Sequence, residues 1–315
     1  MNYKNNFLSI VIPAYNRPIY LKRCLNSLIS YKGDDIEIIV QDDCSPINLK
    51  ETVENINDQR IKYYRNKTNL GLAPNIIDIL NRVTGQYVYY ITDDDFLFPD
   101  AIDKIKKFIN EYKPTAFTSD IITYYEKTHA AINTSFFKSD ISSKFDNVET
   151  NAKIILSAGI LTRVCFDVSK LDMEFLKKYG GIWFPQLIMI GSLLPKGKLY
   201  YKAEPLGIHT WENEVFWDIK TDNVIKEFDD NRVDTLLHLS NVLSENQLKA
   251  IIKLFIIQSY NIHGINPKLK PYLTTTEIFT LSFFGLVRYL IILIKDKMLY
   301  NFQKTINHKK IKKHI

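Results

Sequence analysis

Residues 87–102 read YVYYITDDDFLFPDAI. The first five positions are apolar or aromatic without interruption, which predicts a strand buried on both faces. Three consecutive carboxylates, Asp93, Asp94 and Asp95, end it, and Pro99 opens a helix reaching about Tyr112. The same punctuation recurs upstream. Residues 7–12, FLSIVI, stop at Pro13; 36–40 stop at Gln41-Asp42-Asp43; 61–64 form a further strand before the loop that begins at Arg65. Between them the spacing predicts helices over 18–31, carried by Leu21, Leu25 and Leu28, over 48–57, and over about 73–82, with Gly85 as the break. Strand and helix alternate, so the strands are parallel and covered on both faces: an α/β fold with a mostly parallel central sheet flanked by helices. Such sheets bind ligands beyond the carboxyl ends of their strands. The polar clusters Pro13–Arg17, Asp42–Ser45 and Asp93–Asp95 are therefore expected on one rim.

Beyond about residue 115 the pattern blurs. A strand is expected over 117–125, with Asp120 near its end, then polar loop over 126–150, and short strands at 198–202 and 205–208. Residues 219–262 read as helices, marked by Leu236, Leu237, Leu239 and Leu243 and by 251–257. This divides the chain into an α/β domain over 1–218 and a helical C-terminal extension over 219–315.

Apolar residues make up 46% of the 315, enough for a sizeable core and too many for a disordered chain. Cys24, Cys44 and Cys165 fit neither a disulfide framework nor a zinc site and read as lone thiols of a reducing cytoplasm. MNYKNNFLSIVIP lacks a signal peptide's core and cleavage site. Net charge is +6, yet residues 288–315 alone carry eight Lys or Arg and one Asp, leaving the body near −1. That excludes the broad basic face of a nucleic-acid enzyme and fits a tail meeting an anionic membrane surface. Residues 278–294, IFTLSFFGLVRYLIILI, precede the tail, and Arg288 in mid-segment would cost roughly 2.5–3.5 kcal/mol in a span. A helix lying in the interface is the preferred reading; packing on protein or on a homodimer partner, and a true span, are the others. The expected location is cytoplasmic, peripheral on the inner face of the cell membrane.

Three adjacent carboxylates raise one another's pKa, a penalty that a hard cation such as Mg²⁺ or Mn²⁺ removes. The bland alternative is a solvated acidic turn capping the next helix, with Asp95 as the cap. Asp42 is suited to accept from a nucleobase N3–H or a ribose hydroxyl, or else belongs to an Asx turn. No GxGxxG and no GxxxxGK[ST] occurs, so a dinucleotide dehydrogenase and a P-loop kinase are excluded, and a diphosphate would be held by metal.

Four pieces, SIVIPAYNRPIYLKRCLNSL at 9–28, IIVQDDCS at 38–45, NLGLAPNI at 69–76 and YITDDDFLFPDAI at 90–102, together resemble the family 2 glycosyltransferases. The resemblance implies the nucleotide-diphospho-sugar transferase fold called GT-A, with a nucleotide-binding half over 1–115 and an acceptor-side half over 116–218. It implies that Pro13, Ala14 and Tyr15 line the base, that Asp42 accepts its N3–H, and that Arg65, Asn69 and Gly71 lie beside the nucleoside. Arg17 joins them on the donor side. Asp93 would face ribose and sugar, Asp94 would ligate Mn²⁺ or Mg²⁺, and Asp95 would stand beside it or behind it. Such enzymes invert the anomeric carbon, and many build bacterial surface polysaccharides on lipid-linked acceptors.

Two departures stand out. Thr92 replaces an acid before the aspartate pair, and the stretch YGGIWFPQLIMIGSLLPKG at 179–197 lacks the family's Glu-Asp pair, whose Asp is the general base. Asp120 is the leading substitute base, with Asp172, Glu174 and His209 behind it. His209, in PLGIHTWEN, is also a candidate for the metal or diphosphate site. Gln186 would orient the acceptor, and Trp183 and Trp211 would stack on it; Trp217 lies on the same side. The expected reaction moves a sugar from a nucleotide-diphosphate donor, UDP before dTDP, to a saccharide hydroxyl. An inactive carbohydrate-binding scaffold and a sugar nucleotidyltransferase are the rivals.

Overall fold

Every residue of β1 (Leu8–Ala14) and β2 (Ile36–Asp42) is buried, as mostly apolar strands covered on both sides require; the polar Ser9 and Glu37 are buried with them and hydrogen-bond each other. The computed structural model describes residues 7–144, 146–181, 183–211, 222–258, 265–278, 280 and 281. The chain divides into two compact units, Met1–Leu248 and Lys249–Ile315.

In the first unit, β1 pairs in parallel with β2, and β2 with β3 (Ile61–Arg65). On its other side β1 pairs with β4 (Tyr87–Tyr90). The register sets Ala14 against Asp42 and Asp42 against Arg65, so three strand ends finish level. Helix α1 (Pro18–Leu28) starts on a proline whose missing N–H costs nothing there, and it buries Leu21, Cys24, Leu25 and Leu28. Helix α2 (Leu49–Glu54) is capped by Asn48, and α3 (Leu72–Asp78) follows Gly71. After the short β5 (Phe96–Leu97), α4 (Ala101–Tyr112) buries Ala101, Ile102, Ile105, Phe108 and Ile109 along one stripe. These stripes meet Leu8, Ile10, Ile12, Ile38 and Val40 in one core, each large aliphatic contributing about 1.5–3 kcal/mol.

The sheet then changes character. Strand β6 (Ala116–Tyr125) carries a hairpin partner, β7 (Ala130–Thr134), and β8 (Ile141–Ser142) follows, so the expected loop over 126–150 contains two strands. Helix α5 (Val148–Ser157) leads to β9 (Cys165–Asp167), which inserts antiparallel between β4 and β6. Helices α6 (Met173–Tyr179) and α7 (Pro185–Leu193) follow. The two short strands expected at 198–208 are one, β10 (Leu199–Trp211), irregular around Pro205 and parallel to β6. The order is β3-β2-β1-β4-β9-β6-β10-β5, with β7 on β6 and β8 on β10. Asp120 is consequently inside β6, opposite Pro205, and not at a strand end. The strand continues past it because Ile121 to Tyr125 pair with β7 and Ile122 to Tyr125 also with β10.

Helix α8 (Asp222–His238) closes the first unit, and α9 (Glu245–Gln258) leads into the second. There Lys253 pairs with Glu277. Trp217, the basic tail and all but 278, 280 and 281 of the apolar segment lie outside the described residues. Among the described residues no helix is long and apolar enough to cross a membrane.

Candidate donor site at the sheet rim

The parallel strand ends meet as their sequence order requires. The Asp43 N–H donates to the Ala14 carbonyl at 2.9 Å, joining the ends of β1 and β2. Asn16, in a left-handed conformation (φ 57°), turns the chain from β1 into α1, and its N–H donates to Ser45 Oγ at 2.9 Å. The Tyr15 N–H donates to Asp93 Oδ2 at 3.0 Å, tying the end of β1 to the acidic turn after β4.

At the β2 end the two aspartates have different work. Asp42 is fully buried. Its Oδ1 accepts from Ser45 N at 2.8 Å and Ser45 Oγ at 2.5 Å; its Oδ2 accepts from Tyr63 Oη at 2.6 Å and Arg65 Nη1 at 2.5 Å. Four donors fill both oxygens. Burial and Asp42 together push the Tyr63 phenol up to about 12. Asp43 instead shapes the 66–71 loop, accepting from Asn66 Nδ2 and Leu70 N at 2.8 Å and from Gly71 N at 2.9 Å. Asn69 accepts from the same Gly71 N–H at 2.8 Å. Gly71 needs φ +83°, which glycine adopts without strain.

The three carboxylates of the acidic turn also diverge. Arg17 Nη1 donates to Asp94 Oδ2 and, at 3.4 Å, to Asp93 Oδ1. Burial, and then the charge of Asp94, push the Asp93 carboxyl up to about 7 in spite of Arg17. Asp95 has no exposure and faces away, accepting from Thr210 N at 2.8 Å and standing 3.2 Å from His209 Nδ1. Burial works against its charge, but His209, Thr162 and the Thr210 N–H outweigh it and hold its pKa low. The pair acts the other way on His209: burial lowers its pKa, Asp95 raises it further, and the net direction is up. β5 brings these partners together, since Phe96 and Leu97 pair with Ile208 and Gly207 of β10. A Cβ on Gly207 would lie 2.6 Å from the Phe96 carbonyl oxygen, so only glycine permits this approach.

A family model described as Glycosyl transferase family 2 matches residues 9–167, about half of the chain and the whole of this rim up to β9. The chain belongs to glycosyl transferase family 2. Among curated relatives it is 34% identical, over 33% of its length, to the GalNAc(5)-diNAcBac-PP-undecaprenol beta-1,3-glucosyltransferase of Campylobacter jejuni. The match spans 35% of that relative, so the chain covers about a third of it. It is 23% identical to the abequosyltransferase RfbV of Salmonella typhimurium over 66% of this chain and 68% of the relative. Among solved structures, TarS of Staphylococcus aureus in complex with UDP superposes with a TM-score of 0.64 at 16% identity, covering 86% of this chain and 76% of that one. A second TarS structure holds UDP-GlcNAc and superposes with a TM-score of 0.62 at 16% identity, over 84% of this chain and 78% of that one. The shared fold is GT-A.

Within this family 2 chain the rim gathers Pro13, Ala14, Tyr15, Arg17, Asp42, Arg65, Asn69, Gly71 and Asp93 to Asp95, with His209 reached through β10. The acceptor candidates are dispersed. Trp211 is 41% exposed and meets the His209 ring edge-on at 5.7 Å. Gln186 is buried at the start of α7 and donates to the Gly159 carbonyl at 3.2 Å, and Trp183 is half-buried just before it. Asp120 is 4% exposed and takes the Tyr201 hydroxyl, with buried Arg163 adding positive charge nearby. Asp172 caps α6 through the Phe175 N–H at 2.9 Å.

Arg23 escaped the sequence reading. Its Nη2 donates to the Asp94 carbonyl at 2.5 Å and to Thr210 Oγ1 at 2.9 Å, and its Nη1 meets Glu126 Oε1 at 3.2 Å. Its place on the α1 face, three residues after Tyr20, was the available signal; Tyr20 reaches the same Glu126 at 3.1 Å.

Among the described residues no group of three or more His, Cys, Asp or Glu side chains is arranged to hold a metal ion. Arg17 and His209 meet the crowded charge that the sequence reading left to a cation. The donor set still fits a hard cation: Mg²⁺ needs only one or two protein carboxylates beside diphosphate oxygens. Asp93 and Asp94 are such a pair, adjacent in the turn and both within reach of Arg17 Nη1.

Proposed function

We propose that this chain is an inverting glycosyltransferase that moves a sugar from a UDP-linked donor to a saccharide hydroxyl in bacterial surface polysaccharide synthesis. The observation that carries the proposal is the junction of three strand ends, where the Tyr15 N–H meets Asp93 and Asn16 meets Ser45. It sets the strand-end rim directly beside an acidic turn. TarS, which shares the fold, has been crystallised with UDP and UDP-GlcNAc, and a lipid diphosphate figures in the Campylobacter relative's name. By analogy the acceptor here is lipid-linked, and the +7 charge of residues 288–315 would hold the enzyme at an anionic membrane surface.

In this reading Tyr15 and the 66–71 loop flank the base. Asp42 takes the base N3–H in place of the Nη1 donor of Arg65, whose side chain is 42% exposed. Asp93 faces the donor sugar and Asp94 holds the cation. A divalent cation, when bound, supplies positive charge to the departing diphosphate. His209 is oriented by Asp95 through Nδ1, which leaves Nε2 to face the diphosphate or the cation.

The test is release of UDP from a panel of UDP-sugars with saccharide acceptors. Asp94→Asn should lower turnover on the order of a hundredfold, about 2.7 kcal/mol of transition-state stabilisation, with an unchanged near-ultraviolet circular dichroism spectrum. Equal turnover in that variant would remove Asp94 from the chemistry. The absence of any acid from α7 favours one second reading, a sugar-nucleotide-binding scaffold, which predicts UDP-sugar binding without turnover.

A further inference from the structure

Arg17 sits where a cation would have to go. Its Nη1 meets the Asp94 carboxylate and, at 3.4 Å, that of Asp93, and the side chains of all three are at most 12% exposed. A lysine here would keep the charge, but as a more strongly hydrated point charge on a different stem. The turn does not need this bridge for its shape. Asp93 is anchored by the Tyr15 N–H, the Asp94 backbone by Arg23, and Asp95 by Thr210 and His209. Arg17 therefore contributes charge more than geometry. A hard ion ligated by the Asp94 carboxylate and a guanidinium hydrogen-bonded to it compete for the same oxygens.

We infer that Arg17 is an exchangeable counter-ion of the acidic turn, displaced when a divalent cation and a nucleoside diphosphate arrive together. This rests on the donor-site reading above and deepens it. Once displaced, the guanidinium keeps its tether at the first turn of α1, beside the space the diphosphate would occupy, and phosphate oxygens replace the carboxylates as its partners. The cation alone must evict Arg17 from both carboxylates; with the diphosphate present, phosphate oxygens replace those two contacts. Binding of the two ligands is then positively coupled, and by linkage each strengthens the other by the same factor.

The experiment titrates Mn²⁺ into the full chain by electron paramagnetic resonance, with and without saturating UDP, for wild type, Arg17→Gln and Arg17→Lys. Free UDP–Mn²⁺ is accounted for separately. Arg17→Gln should bind Mn²⁺ alone on the order of tenfold more tightly than wild type, and UDP should enhance its Mn²⁺ affinity on the order of tenfold less. Arg17→Lys should lie between the two, and it carries the test if the glutamine variant does not fold. A merely structural Arg17 predicts weaker Mn²⁺ binding in both variants, and that result overturns the inference. So does equal affinity and equal coupling in all three proteins, provided wild type takes up Mn²⁺ with UDP. Failure of wild type to take up Mn²⁺ even with UDP overturns the metal-assisted reading itself, and the inference with it.

Discussion

Replacing Arg23 by alanine tests whether the acidic turn is clamped from α1. The guanidinium makes two hydrogen bonds from one nitrogen, to the Asp94 carbonyl and to Thr210 Oγ1, and an ion pair with Glu126. A hydrogen bond from a charged group is worth about 1.5–3 kcal/mol. The Glu126 pair has an Arg23 side chain 36% exposed, so solvent screening reduces it to about 0.2–1 kcal/mol. Water reaches the vacated partners and recovers part of the loss, which leaves about 2–4 kcal/mol. In a unit of this size each kcal/mol shifts Tm by about 2–4 °C, so Arg23→Ala should melt about 4–16 °C below wild type in a calorimetric scan. Arg23→Lys should recover part of that, because one ammonium cannot reach carbonyl, hydroxyl and carboxylate together. Coupling should show in a double-mutant cycle with Thr210→Val, whose interaction energy is expected at about 0.5 kcal/mol or more. Donor turnover should fall along with stability, since Asp94 loses its backbone anchor. A variant melting within about 1 °C of wild type, with zero coupling to Thr210, would refute the clamp.

Two further tests address the frame beneath the rim. Glu37 is buried, and although burial raises its pKa, hydrogen bonds from Lys62, Ser9 and Thr84 outweigh that and hold it below the usual value. A carboxylate with a depressed folded pKa stabilises above its unfolded value, about 4.3, and loses that contribution as pH falls through the folded value. Glu37→Gln should therefore lower Tm at neutral pH and flatten the acid limb of a Tm-against-pH profile; an unchanged profile would remove Glu37 from that limb. At Gly85 an added Cβ would lie 2.7 Å from Ser9 Oγ and 2.8 Å from the Ser9 backbone nitrogen. Gly85→Ala should cost about 1–3 kcal/mol, read as a lower urea midpoint with an unchanged slope, and a midpoint equal to wild type would contradict the close approach.

Residues 8 to 112, β5 apart, were legible because the elements there announce themselves locally. Strands are mostly apolar runs stopped by polar groups, and α1 and α4 carry their buried residues at helical spacing. Beyond them the signals are long-range. β5 has two residues and β9 three, and pairing with strands far along the chain defines both. β10 read as two strands because Glu204 and Pro205 interrupt its pattern where its register against β6 shifts. Asp120 read as a strand end because a charge inside a strand is rare; Tyr201 and the neighbouring Arg163 are what make it tolerable. The gathering of three polar clusters on one rim followed from topology alone. The partner of each carboxylate did not, since Asp94 and Asp95 are adjacent in sequence yet point to Arg17 and to His209.

The pairing of Phe96–Leu97 with Gly207–Ile208 gives this protein a late-maturing centre. During synthesis the aspartates emerge more than a hundred residues before the strand that supplies Thr210 and His209. Until that strand docks, Asp95 lacks Thr210 and His209, and Arg23 lacks one of its anchors. A ribosome-bound chain halted before residue 207 would thus hold the parallel half of the sheet with its acidic corner only partly braced, and the last strand of the sheet completes it.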